Sequence, residues 1–176
     1  MRSSSLFGGS EQAIVVLMNA LITRSNEAET LDSDPNSVLT LLADSGTTAG
    51  ALTSNRSTFR QGADGAPPHF HTSASELFFV LSGSLQVLVG EGLVTLGAGD
   101  TLVVPPNTPH AFGATAGQDA DVLFVFTPGM DRFDYYRLLD RVYRGQADPK
   151  EIGESQERFD NHYVDSPVWR QARSAS

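Results

Sequence analysis

Three of the chain's four histidines fall in two short segments, and a carboxylate stands close to them in sequence. The first segment reads Pro67-Pro68-His69-Phe70-His71, and after a four-residue link Glu76 opens an apolar run. On a strand, residues two apart share a face. His69 and His71 can therefore aim two imidazoles at one point while Phe70 faces away. Glu76 is a charge at the head of an otherwise apolar strand. A buried carboxylate needs a partner, and a cation is the simplest one. The second segment runs from Gly99 through Pro105 to His110 and delivers a third imidazole at the start of another strand. A single histidine near an apolar strand is usually a packed or surface residue. Three at these spacings, with a carboxylate, suit a divalent first-row ion. The chain has no cysteine, so any metal site must use His, Asp or Glu, and disulfides and thiolate chemistry are excluded. The expected cofactor is one divalent transition metal per chain (Fe, Mn, Ni, Co or Zn) held by His69, His71, Glu76 and His110. The fourth histidine, His162, lies outside these segments and reads as a surface or packing residue.

The elements that must position these ligands are short strands. Runs near residues 38–43, 49–60, 69–72, 76–81, 84–89, 93–96, 101–104, 110–113 and 122–127 carry strand composition. The links between them are turn formers: Ser82-Gly83, Gly90-Glu91-Gly92, Gly97-Ala98-Gly99 and Ala116-Gly117-Gln118-Asp119. Residues 61–68 are a loop by composition. Many short strands at this spacing predict a sandwich or barrel. Beyond Pro128 the period changes. Phe133, Tyr136, Leu139 and Val142 recur every three residues, which predicts a helix with a broad apolar face ended by Gly145. That aromatic stripe reads as core packing or a subunit contact. A second helix is expected from Asp148, with Pro149 at its first position and Glu151 completing a capping-box spacing. The tail over 161–169 should pack back on the barrel.

Residues 77–81 (Leu-Phe-Phe-Val-Leu) are apolar at every position, so both faces of that strand should be covered. Phe78, Val80 and Phe112 share the inward parity of Glu76 and His110. They are candidates for the core and for the apolar wall of a substrate pocket over the metal. The outward side needs the C-terminal helices, a second sheet or a partner chain, and a homodimer is expected.

The run His69, His71, Glu76, Gly83 fits H-x-H-x4-E-x6-G, and Gly99, Pro105 and His110 fit most of G-x5-P-x-G-x2-H-x3-N. These resemble the two motifs of the cupin superfamily. The resemblance spans about residues 40–128. It implies a mainly β fold, a cupin-type double-stranded β-helix or jelly-roll barrel, with a 3-His-1-Glu metal site inside and C-terminal helices added. Three positions depart from the pattern. Gly62 stands one place early, Asn107 replaces a glycine, and Ala114 replaces the final Asn. None is a ligand, and Asn tolerates a left-handed backbone. Among single-domain cupins the chain is most similar to the quercetinase-like group, through its Glu-x-Phe-Phe-Val strand and the helix opening Met130-Asp131-Arg132-Phe133. That likeness implies a dioxygenase of an enolisable aromatic substrate, with Glu76 also taking the substrate's hydroxyl proton. A non-oxidative cyclase, isomerase or lyase would use the same ligands. A non-enzymatic small-ligand-binding cupin is a third reading, against which all four ligands are retained.

The domain plan expected is an N-terminal extension over 1–17, a barrel over 18–128, and a helical segment with tail over 129–176. The extension is Ser/Gly-rich and reads as mobile, and either Met1 or Met18 can be the natural start. Residues 13–22 make a poor signal peptide because Glu11, Gln12 and Asn19 interrupt it, so a cytoplasmic protein is expected. The formal net charge of -9 repels phosphate backbones, which argues against nucleic acid as a partner. No run approaches the ~18 apolar residues that would suggest a membrane span. A small molecule is the partner that remains.

Overall fold

The structure, a computed structural model, describes residues 20–174, so the expected extension over 1–17 lies outside the described residues. The strands are β1 (Thr30–Leu31), β2 (Ser37–Ala43), β3 (Thr53–Phe59), β4 (His69–Phe70), β5 (Ser75–Val89), β6 (Gly92–Gly97), β7 (Thr101–Val104), β8 (His110–Ala114), β9 (Ala120–Thr127) and β10 (His162–Tyr163). The helices are α1 (Arg132–Tyr143), α2 (Lys150–Glu154), α3 (Gln156–Phe159) and α4 (Pro167–Ser174). The fold is a mainly β jelly roll with C-terminal helices, as expected from the motifs. Among the described residues no helix is long and apolar enough to cross a membrane.

The long strand β5 organises the barrel. Its first part pairs with β9 and β7, in the sheet that continues through β3 and β2 to β1. Its second part pairs with β6 and β8, in the sheet that continues through β4 to β10. Side chains alternate as period-2 geometry requires. Glu76, Phe78 and Val80 point in and are buried, while Leu77 and Phe79 are only half-buried. Strand β9 matches them with Val122, Phe124 and Phe126. The core between the sheets is therefore aromatic, with Phe78, Phe112 and Phe124 in mutual ring contact at 4.8–5.3 Å. Burying each such side chain is worth roughly 1.5–3 kcal/mol.

Three sequence expectations change. Ser82-Gly83 was expected as a turn between two strands, but β5 runs straight through it. Gly83 has φ +76°, and a Cβ there would overlap the Asp119 carbonyl, so glycine lets the strand bend from one sheet into the other without reversing. The strand expected over 49–60 begins only at Thr53, because Ala49 and Gly50 both take positive φ in a turn. The second helix is assigned from Lys150, not from the Asp148 cap. Its cap chemistry is nonetheless as expected: Asp148 N–H donates to Glu151 Oε1 and Lys150 N–H to Asp148 Oδ1, each at 3.0 Å.

The C-terminal segment covers two places. Helix α1 lies beside β1 and β2 and buries Tyr135, Tyr136 and Leu138 against Leu41 and Phe159. Helix α4 presses Trp169 onto Leu88 and Ala111, on the outer face of the second sheet. Neither element covers the outward side of β5 and β7, where Leu81 and Val103 stay 42% and 55% exposed.

Candidate metal centre

His69 on β4 and His110 on β8 are direct cross-strand partners, which brings their rings to 4.3 Å. His71 follows two residues after His69, and its ring lies 4.9 Å from that of His69 and 5.4 Å from that of His110. Glu76 enters from β5, held between Val104 and Phe126 on its two neighbours. All four side chains are buried, and one donor atom from each lies within 4.8 Å of all the others. Donor atoms gathered this closely could hold one divalent ion among them.

The hydrogen bonds behind the rings fix what the rings can do. Each Nδ1 faces a backbone carbonyl: Pro67 at 2.8 Å for His69, Asp160 at 2.6 Å for His71, and Thr108 at 2.9 Å for His110. A carbonyl only accepts, so each Nδ1 carries its proton. In the neutral rings every Nε2 is then a bare lone pair. The Nε2 atoms of His71 and His110 lie 3.3 and 2.7 Å from Glu76 Oε2, itself an acceptor. Acceptors crowd to such distances only around positive charge, which a proton or a metal ion can supply. Burial would raise the Glu76 carboxyl, but positive charge on its His110 and His71 side outweighs that and holds it below the ordinary carboxylate range. Burial, then the neighbouring His110 and His71, pushes His69 well below its ordinary value, which favours the neutral ligand form. Three oriented imidazoles and one ionised carboxylate fit a divalent cation better than they fit any number of shared protons.

A cavity of about 570 Å³ opens against this cluster. His69 and Glu76 form part of its wall, with Phe59, Phe112 and Phe124 from the barrel and Tyr135 and Tyr136 from α1. Of the expected pocket residues, Phe112 lines the cavity. Phe78 and Val80 are fully buried in the core and are not among its lining residues. His162 stacks on Phe70 at 5.1 Å and meets Asp160 at 3.1 Å, away from the cluster.

Sequence reading missed four residues here. Asn55 and Ser57 line the cavity from β3, and Asn55 accepts the Tyr136 hydroxyl at 3.1 Å. Their signal was available, since polar residues occupy the buried parity of β3. Arg132 lines the cavity from the start of α1. Asp160 clamps the loop between two ligands: its carboxylate accepts Thr72 N–H at 2.8 Å, Thr72 Oγ1 at 2.8 Å and Ser73 N–H at 2.9 Å. The aromatic stripe of α1, expected as packing or subunit contact, also supplies cavity wall through Tyr135 and Tyr136.

Residues 55–126 match the family model described as a cupin domain. That match and the jelly roll around it give the chain a cupin domain with the cupin fold. No curated protein matches the chain significantly. Among solved structures, KdgF from Halomonas sp. is similar at 24% identity and TM-score 0.56, covering 65% of this chain and 98% of its own. An RmlC-like cupin from Shewanella frigidimarina is similar at 22% identity and TM-score 0.54, over 63% and 93%. Pac13 from Streptomyces is similar at 20% identity and TM-score 0.52, over 65% and 88%.

Proposed function

We propose that this cupin is a metal-dependent enzyme acting on a small aromatic or enolisable molecule, as a quercetinase-like dioxygenase. The observation that carries the reading is the buried cluster of His69, His71, Glu76 and His110, of which His69 and Glu76 line an aromatic-walled cavity. The residues to hold the ion are His69, His71, Glu76 and His110, one ion per chain. When bound, the ion supplies Lewis acidity and, if redox-active, chemistry with dioxygen. The chain's own residues do the rest. Phe59, Phe112 and Phe124 receive a flat ring and exclude water. Glu76, held ionised in the cavity wall, accepts the proton of a substrate hydroxyl and leaves it an enolate. Asn55 and Tyr136 place a hydrogen-bonding pair in the cavity wall, which orients the ring. The cavity volume suits a molecule of drug-like size. The same reading includes a homodimer through the uncovered face of β5 and β7, in the cytoplasm.

The test is turnover of a flavonol with and without dioxygen by the metal-loaded protein. Oxygen consumed in step with substrate supports the dioxygenase. Pac13 is a nucleoside dehydratase on a similar fold, which favours a non-oxidative cyclase, isomerase or lyase as the second reading. Equal turnover under anaerobic conditions selects it.

A further inference from the structure

Helix α1 brings one cation to the cavity wall. Arg132, its first residue, is 4% exposed and lines the same cavity as His69 and Glu76. Its guanidinium lies over the Tyr135 ring at 4.4 Å and over Phe126 and Tyr136 at 5.0 Å each. Phe126 meets the His71 ring edge-on at 5.6 Å, so the guanidinium is one ring removed from a ligand. Asn161 Oδ1 accepts one N–H at 3.0 Å. Arg132 Nε has no hydrogen-bond partner, and neither has the buried Nδ2 of Asn161.

The other arginines show what is missing. Arg56, Arg137, Arg144 and Arg158 each pair with a carboxylate at the surface. Among the described residues Arg132 makes no such pair, although it is the one whose burial most requires it. Taking a guanidinium out of water is costly unless an anion and hydrogen bonds compensate. Aromatic faces supply only part of that. Arg132 is the one Lys or Arg in the cavity wall, whose acidic groups are Glu76 beside the cluster and Asp34, Asp64 and Asp140 elsewhere. A strut that merely anchored α1 would need neither a free donor nor a place in the cavity wall.

We propose that Arg132 is the anion-recognition residue of this cavity, taking a carboxylate or comparably acidic oxygen of the substrate on its guanidinium. The substrate is then an aromatic acid or acidic enol, not a neutral ring compound. This deepens the enzymatic reading above and rests on it for the reacting end of the substrate. The recognition itself needs only the guanidinium and the aromatic walls.

The experiment is calorimetric titration of the full chain with benzoate and with its neutral isostere benzamide, both metal-loaded and after chelation. Benzoate is expected to bind at least tenfold tighter than benzamide. Arg132→Gln should lose that preference, about ten- to a hundredfold for a charge-assisted hydrogen bond, and should lose it with or without metal. Arg132→Lys keeps the charge but not the planar fork, and should recover part of it. If Arg132→Gln does not fold, the wild-type comparison still decides. Equal affinity for the two probes, or no benzoate binding at millimolar concentration, overturns the proposal. So does a preference that survives in Arg132→Gln and vanishes on chelation, because the metal is then the anion site. Arg132-dependent preference in a protein that takes up no metal would sustain this proposal and sink the metal-dependent reading.

Discussion

Replacing Asp160 should loosen the metal site although Asp160 is not a ligand. Its carboxylate gathers two backbone N–H groups and a hydroxyl from Thr72 and Ser73, the loop joining His71 to Glu76. Its backbone carbonyl accepts His71 Nδ1–H, from a left-handed conformation at φ 48°. One residue thus fixes the ring of one ligand and the approach to another. In Asp160→Ala the three side-chain acceptor contacts disappear. Each is worth about 1 kcal/mol net, less here because water reaches this edge. Alanine in the left-handed region costs about 1 kcal/mol more. The sum is a destabilisation of about 2–3 kcal/mol. Loss of a group that orients a ligand costs about 10- to 100-fold in metal affinity. Asp160→Asn tolerates the backbone and retains one acceptor, so it should fall between. The assay is competition for zinc with a chromophoric chelator, beside denaturant unfolding of the same samples. An Asp160→Ala protein that is destabilised but binds zinc with wild-type affinity would refute the coupling and leave Asp160 as a fold residue.

Three further outcomes follow from the same geometry. Glu76→Gln should retain much of the metal, while His69→Ala and His110→Ala lose most of it. If Glu76 is also the proton acceptor, turnover on the Glu76→Gln sample should fall about 10²–10⁴-fold beyond any loss of metal, and loss in mere proportion to metal would remove the catalytic role. His69 is held neutral below its ordinary value of 6.5, so the unfolded chain takes up its proton first as pH falls. Stability and metal retention should therefore be full above about pH 6.5 and decline below it; retention unchanged down to pH 4.5 would mean that histidines are not the ligands. The exposed Leu81 and Val103 beside half-buried Leu77 and Phe79 lead us to expect a homodimer by light scattering, and a monomer at micromolar concentration contradicts it.

The candidate cluster was legible because its geometry is local. His69 and His71 stand two apart and both reach it, although strand β4 ends at Phe70, and Glu76 and His110 betray themselves as polar residues heading apolar strands. The capping chemistry at Asp148 and the left-handed Asn107, with φ 61°, were equally local. What the sequence hid was tertiary. Nothing near Asp160 announces that its carbonyl meets a ring 89 residues earlier in the chain. Arg132 read as an ordinary helix residue because only the folded barrel supplies the aromatic box around it. Gly83 looked like a turn because a glycine that reverses a strand and one that bends it between sheets carry the same composition. The polar parity of Thr53, Asn55 and Ser57 was visible, but a Thr/Ser-rich run fits a turn as well as a strand, and the two merged.

The most direct test of the whole account is elemental analysis of protein purified without chelator, paired with the His69→Ala and His110→Ala variants. The account expects about one divalent transition metal per wild-type chain and a large loss in each variant. A wild-type protein that carries no such metal and takes none up on incubation would contradict it.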